Sequence, residues 1–272
     1  MMEVTKSLTL KLDKIAVPMA QGDRSPVALR IAFDLAQRFG SEVTAFTVKE
    51  ESREITWSDK VKMVTRAFQE GKERGIKVVP RVRTSGSAKE GIVEEINSHS
   101  YDLVLIASQK RSPLSTALFG SISDYVIKNS NTITAAVSTH GNNYPYKRIL
   151  VPVSEGLNTR VSVLFGLYLK LVSGSSILLA DMRRFDKKRT HGFQSLFEHM
   201  EQVYERFGPE VSVTRGGLET NLRNEVHRMI EDTGSDCVVL GVRPDRYGRI
   251  RVKAELKSVV KESQVDTILI KR

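Results

Sequence analysis

The sequence LVLIASQKRSPLSTALFGS occupies residues 103–121 and contains the transition that decides the fold. Residues 103–106 are consecutive apolar residues, which is typical of a buried parallel strand. A polar loop follows and ends at Gly120 and Ser121, where a helical pattern begins. Glycine lets a ligand approach the backbone, and the first N–H groups of a helix favour negative charge. The stretch therefore predicts a strand–loop–helix unit that can bind an anion such as phosphate.

Strand and helix patterns alternate on both sides of this stretch. The predicted strands are residues 14–19, 43–48, 77–82, 103–107 and 132–137, and the predicted helices are residues 25–39, 58–74, 88–98 and 120–129. Strict alternation with short connections predicts a parallel sheet with helices on both faces.

The same pattern occurs a second time after a polar, turn-forming segment at residues 139–145. Residues 148–153, RILVPV, repeat residues 14–19, KIAVPM, including the proline. The later predicted strands are residues 177–180, 211–213, 237–240 and 267–270, and the later predicted helices are residues 158–172, 193–207, 222–231 and 252–262. A period of this length indicates a duplicated domain. We expect two α/β domains, residues 1–140 and 146–272, each a Rossmann-like five-stranded parallel sheet.

Composition is that of a soluble globular protein. The 272 residues are 40% apolar and 27% charged, which allows two ordinary domains. The sequence contains no apolar run long enough for a transmembrane helix and no secretory signal, so we expect a cytoplasmic protein. Cys237 lies within an apolar run and is predicted to be buried. The net charge of +10 favours anionic partners, although a solvated lysine-rich surface explains it equally well.

Residues 11–139 and 146–272 each resemble a domain of the universal stress protein family, in its tandem form. Nucleotide-binding members of that family carry G-x2-G-x9-G-[ST] after the fourth strand, and residues 107–121 align with that region without a gap. The matching residues are Arg111, Ser112, Leu114, Ser115, Leu118, Gly120 and Ser121. The resemblance implies a role in stress response and an adenine nucleotide, ATP or AMP, at the carboxyl ends of the strands, with adenine near Val48. The residues implied in binding are Pro18, Met19, Ala20, Val48, Ala107, Ser108, Lys110, Arg111, Gly120, Ser121, Ile122 and Ser123.

The first half also departs from the family motif. Ala107 and Lys110 replace its two early glycines, Pro113 replaces a later one, and Ala20 replaces an acidic residue at the end of strand one. The Cβ of Lys110 hinders a backbone that wraps tightly around phosphate, whereas its ammonium could reach a phosphate directly. Two interpretations stay open: a degenerate nucleotide site, or an empty or repurposed pocket.

The second half departs further and is predicted to have lost the ordinary nucleotide site. Pro244 replaces a motif glycine, strand one ends in Ser154, and Ala254-Glu255 replaces Gly-Ser, so that a carboxylate would repel phosphate. Basic residues follow the strands instead: Arg183, Arg184, Arg243, Arg246, Arg249 and Arg251. They are either an anion-recognition or docking surface or a solvated face without a partner.

Other chemistry is not indicated by the sequence. The five histidines lack metal-ligand spacing, and catalytic elbows, phosphate loops of ATPases and nucleic-acid-binding modules are not recognisable. We therefore predict a non-enzymatic regulatory or binding module without a metal or sequence-specific nucleic-acid binding. One alternative is the cytoplasmic regulatory domain of a membrane transporter or antiporter, close to anionic lipid. A second alternative is a weak ATPase.

Association is expected from two features. In the family, domains pair through their last strands, which this chain could do internally while still forming a homodimer. In addition, residues 161–172 form a predicted helix that is apolar nearly all round, which is typical of burial. That helix packs either on its own sheet alone or also against a partner.

Overall fold

A computed structural model describes residues 9–20, 26–51, 56–109, 121–140, 143–154, 159–185, 200–243, 250, 252 and 254–272. The chain divides into two compact units. The first unit is Lys11–Thr139 together with Arg272, and the second unit is His140–Lys271 together with the segment that ends at Leu10.

The first unit is a five-stranded parallel sheet with helices between the strands. Its elements are β1 (Lys14–Pro18), α1 (Pro26–Phe39), β2 (Glu42–Glu50), α2 (Trp57–Glu73), β3 (Val78–Ser85), α3 (Ala88–Ser98), β4 (Leu103–Gln109), α4 (Ser121–Asn129) and β5 (Ile133–Thr139). The strands lie in the order β3-β2-β1-β4-β5, and every pair is parallel. The predicted α/β class and parallel sheet are confirmed.

The second unit repeats this arrangement. Its elements are β6 (Arg148–Val153), α5 (Thr159–Ser173), β7 (Ser176–Asp181), a 3-10 turn (Arg183–Phe185), α6 (Met200–Phe207), β8 (Val211–Arg215), α7 (Leu222–Thr233), β9 (Cys237–Val242), α8 (Ala254–Glu262) and β10 (Asp266–Lys271). Its strand order, β8-β7-β6-β9-β10, is that of the first unit, again with parallel pairs. The helix predicted from residue 252 begins at Ala254, and residues 193–199 of another predicted helix lie outside the described residues.

The duplication extends to single hydrogen bonds. Asp102 accepts from the backbone N–H of the first residue of β1 at 2.9 Å, and Asp236 accepts from that of the first residue of β6 at the same distance. Gly40 and Gly174 end equivalent helices with φ of +72° and +65°, a conformation that favours glycine. Each residue of these pairs lies 134 positions from its counterpart, so the two halves share local geometry as well as topology.

Helix α5 is buried on all sides, as its sequence predicts. Phe165, Leu167 and Leu169 are fully buried, and Tyr168 is nearly so. The helix packs on β6, β7, β9, β10 and α6. The Tyr168 hydroxyl accepts from the backbone N–H of Leu10 at 3.3 Å, so the segment before β1 helps to cover α5.

Two further observations concern the described part of the chain. Cys237 is buried, as predicted, and burial raises the pKa of its thiol well above the ordinary value. Of the helices the structure describes, none combines the length and the apolar character that crossing a lipid bilayer requires.

Candidate functional site

The candidate site lies at the carboxyl edge of the first unit, between β1 and β4. These strands pair through Ile15–Leu103 and Ala16–Val104. The chain leaves β1 towards β2 on one side and leaves β4 towards β5 on the other, which makes this position the topological switch point of the sheet. In open α/β sheets, ligands bind in the crevice that such a reversal creates.

Small residues line the strand ends at this crevice. The N–H of Met19 donates to the carbonyl of Phe46 at 2.6 Å, and the Thr47 hydroxyl donates to the Met19 carbonyl at 3.0 Å. These bonds fix the backbone just before Ala20, which is exposed, while Ala107 at the end of β4 is half-buried. Methyl groups therefore stand where the family motif has an acid and a glycine, leaving space but no charge.

Val48, the residue expected beside adenine, presents little of its side chain to a ligand. It is only 5% exposed. A Cβ added to Gly91 on α3 would lie 2.7 Å from Val48 Cγ1 and 2.7 Å from the Ser85 Cβ. The glycine thus allows α3 to pack directly against the Val48 methyl groups.

The first residues of α4 supply an exposed helix N-terminus at this edge. Ser121 is exposed, Ile122 is 40% exposed, and Ser123 is buried. Asp124 lies in the same turn and places a carboxylate near the helix N-terminus, where it competes with a phosphate. The described residues do not include Lys110, Arg111 or Gly120 of the predicted loop, nor the side chain of Ser108.

The neighbouring helix N-terminus, that of α3, is already occupied by side chains. The Ser87 hydroxyl accepts from the N–H of Glu90 at 3.4 Å and donates to the Glu90 carboxylate at 2.7 Å. Glu50 at the end of β2 accepts from the N–H of Ala88 at 3.0 Å. This role of Glu50 is not predicted from the sequence, although the Ser-x-x-Glu spacing of a capping box signals the helix start.

The second unit fills the equivalent positions with its own side chains. Met182 and Glu225 lie 134 positions after Val48 and Gly91, and both are fully buried. The Glu225 carboxylate accepts from the N–H of Glu219 at 2.8 Å and from the Arg228 guanidinium at 2.6 Å. Burial alone raises the pKa of Glu225, but these donors and the N–H of Gly217 outweigh it, and the pKa is lowered.

Two of the predicted docking arginines have partners within the second unit. Arg183 pairs with Asp181 through two side-chain hydrogen bonds, and Arg184 donates to the carbonyl of Gly217. Arg243 follows β9 and is exposed. Arg246, Arg249 and Arg251 lie outside the described residues, so the structure describes only three of the six predicted arginines.

A comparison with known protein families matches most of the first unit. The sequence profile of the universal stress protein family matches residues 11–137. Residues 11–137 therefore belong to the universal stress protein family. A search of the curated proteins found no match to the sequence.

Solved structures share the tandem fold. A universal stress protein from Archaeoglobus fulgidus DSM 4304 matches with a TM-score of 0.61 at 16% identity, over 96% of this chain and 99% of that one. A functionally unknown protein from Pseudomonas aeruginosa PAO1 matches with a TM-score of 0.65 at 14% identity, over 98% and 94%. The cytoplasmic domain of a prokaryotic cation chloride cotransporter matches with a TM-score of 0.58 at 11% identity, over 96% and 95%. At these identities the likeness concerns the fold.

Within the universal stress protein domain, the described residues bring part of the predicted site to one edge. Pro18 is buried, whereas Met19, Ala20, Ala107 and Ser121 are at least partly accessible. Among the residues with described side chains, groups of three or more histidine, cysteine or acidic residues that could hold a metal ion are not found.

Proposed function

We propose that this protein is a non-enzymatic regulatory module whose first unit binds an adenine nucleotide, ATP or AMP, at the crevice between β1 and β4. The observation that carries the proposal is the exposed N-terminus of α4 at Ser121, on the same sheet edge as Ala20 and Ala107. Backbone N–H groups and the helix dipole at that terminus favour a phosphate. Methyl groups at the strand ends leave the ligand room to approach.

These residues favour binding of a nucleotide without its hydrolysis. A nucleotide hydrolase needs a group that holds a metal or activates water, and Ala20 supplies neither at the end of β1. Ligand binding can instead stabilise one of two conformations of the protein, and thereby change its affinity for a partner. The Asp124 carboxylate in the first turn of α4 opposes a phosphate, so we expect weaker affinity than in a domain with a complete motif.

Calorimetric titration with ATP and with AMP tests the proposal. Ser121→Glu should abolish the saturable heat, because it places a carboxylate at the helix N-terminus and reproduces the Glu255 of the second half. Gln69→Glu makes the same charge change at an exposed position of α2 and should leave binding unchanged. Failure of both nucleotides to bind the unaltered protein would refute the proposal. Phosphate release above the buffer blank, lost in Ser121→Ala, would favour the weak ATPase instead.

A second candidate function is that of a cytoplasmic regulatory domain associated with a membrane transporter. It is favoured by the likeness to the cotransporter domain, which extends over nearly the full length of both chains. The transporter would then bind to the exposed Arg243 and to the basic residues that follow it in the sequence. The sequence of the complete gene and its neighbours tests this candidate, because a transporter partner requires several apolar segments of about 20 residues. Light scattering of the purified protein would separately test the expected homodimer.

A further inference from the structure

The apolar face of helix α2 is wider than the part that its own sheet covers. The buried face contains Val64, Ala67 and Gly71, together with Lys60. Trp57, Val61 and Phe68 are 48%, 39% and 41% exposed. Spacings of four and seven residues place these three side chains on one face of the helix. We call Trp57, Val61 and Phe68 the exposed strip.

The charges around the exposed strip are distributed unevenly. Lys62, Thr65, Gln69 and Lys72 follow one another at spacings of three, four and three, so they form a row along the helix beside the strip. This row holds two exposed lysines and no carboxylate. The strip is therefore bordered by positive charge on its solvent side.

The carboxylates of α2 lie on another side of the helix. Asp59, Glu70 and Glu73 are separated from the exposed strip by the lysine row. Glu70 accepts from Arg74 at 2.8 Å, and Arg74 also pairs with Asp34 of α1 at 3.3 Å. Glu70 is thus engaged with Arg74 next to α1, and the lysine row lies between the three carboxylates and the exposed strip.

We propose that the exposed strip docks the first unit onto an anionic lipid surface. Tryptophan and phenylalanine prefer the interface between water and lipid, and lysines beside them are attracted to acidic headgroups. The buried face keeps the helix attached to its sheet, so only the three apolar side chains and the lysine tips would enter the headgroup layer. A contact of this size is weak, reversible and sensitive to salt. It does not depend on a nucleotide at the crevice.

The chain contains a natural probe for this contact, because Trp57 is its only tryptophan. Vesicles of phosphatidylserine and phosphatidylcholine should shift the emission of Trp57 to shorter wavelength, and brominated lipid in the vesicles should quench it. Phosphatidylcholine vesicles alone should have little effect, and added salt should reverse the shift. Val61→Glu and Phe68→Glu should each lower the partition coefficient at least tenfold. Leu218→Glu, at a site that is 80% exposed in the second unit, is the matched control and should not.

The lysine row has its own test. Lys62→Gln and Lys72→Gln should each lower the partition coefficient about fivefold, since one basic residue near an anionic surface contributes about 1 kcal/mol. Lys257→Gln, at an exposed position of α8, should leave the partition coefficient unchanged.

Three results would overturn the proposal. The first is unchanged Trp57 emission in anionic vesicles. The second is equal binding by Val61→Glu and the unaltered protein, with thermal unfolding showing that both are folded. The third is a blue shift that depends on protein concentration without lipid, because it would assign the exposed strip to a second copy of the chain.

Discussion

The Asp181 carboxylate and the Arg183 guanidinium form a bidentate ion pair at the carboxyl end of β7. Arg183 Nε lies 2.9 Å from Oδ1 and Nη2 lies 2.6 Å from Oδ2, and the Arg183 backbone N–H donates to Oδ1 at 3.1 Å. One carboxylate thus accepts three hydrogen bonds from the same residue. Arg183, which the sequence places in a candidate docking surface, is thus held against its own strand.

This ion pair predicts a pH-dependent contribution to stability. Partial burial raises the pKa of Asp181, but the hydrogen bonds from Arg183 and the charges of Arg183 and Arg215 outweigh it, and the pKa is lowered. A carboxyl group whose pKa is lowered on folding stabilises the protein above its unfolded-state pKa. That contribution is lost as the pH falls through the folded-state pKa.

Asp181→Asn should therefore lower the free energy of unfolding at pH 7 by about 1–3 kcal/mol. Urea unfolding at a series of pH values should show the variant and the unaltered protein converging in acid. Asp232→Asn is the control, because the Asp232 side chain is 57% exposed and its ion pair with Arg228 should contribute less than about 1 kcal/mol. If both substitutions lower the free energy of unfolding equally at pH 7, the Asp181–Arg183 ion pair does not make the expected contribution.

Close packing of α3 on the first sheet predicts the effect of a single methyl group. Gly91→Ala would place a Cβ 2.7 Å from both Val48 Cγ1 and Ser85 Cβ, well inside van der Waals contact. We expect the free energy of unfolding to fall by about 1–3 kcal/mol, despite the better helix propensity of alanine. Gly86→Ala is the control, because a Cβ there meets no atom within 4 Å. Thermal unfolding of both variants provides the measurement.

The proposed nucleotide site predicts a gain of affinity. Ala20→Asp restores the acid that the family's nucleotide-binding members have at the end of strand one, at a position that is exposed in this structure. A charge-assisted hydrogen bond to a ribose hydroxyl should tighten AMP binding about tenfold. Ala20→Leu adds bulk without an acceptor and should weaken binding. Calorimetry that finds the same affinity for both variants would place the ligand away from β1.

Periodicity predicted the fold because the strand signature at Ile15 recurs at Ile149 and the elements between them keep their order. It predicted that β3 ends at residue 82, whereas the strand continues to Ser85. Arg83 therefore lies on the strand together with Arg81, and these two residues pair with the buried Glu95 of α3 at 3.3 and 3.4 Å, respectively. Ion-pair partners so far apart in the sequence cannot be recognised from a local sequence pattern. The same holds for the contact of Gly91 with Val48. The pairing of Asp181 with Arg183 is local, but spacing alone does not show where a side chain points.

The segment before β1 is predicted to be anchored by one hydroxyl group of α5. Tyr168 Oη accepts from the N–H of Leu10 at 3.3 Å and from Arg206 Nη2 at 3.1 Å, and Leu10 is buried. Tyr168→Phe keeps the ring but leaves this buried N–H without its acceptor, which should cost about 1–2 kcal/mol. We expect faster amide hydrogen exchange at Leu10 and faster proteolysis next to it. Tyr204→Phe, at an exposed position of α6, should change neither the hydrogen exchange nor the proteolysis. Unchanged exchange at Leu10 in Tyr168→Phe would show that packing alone anchors the segment.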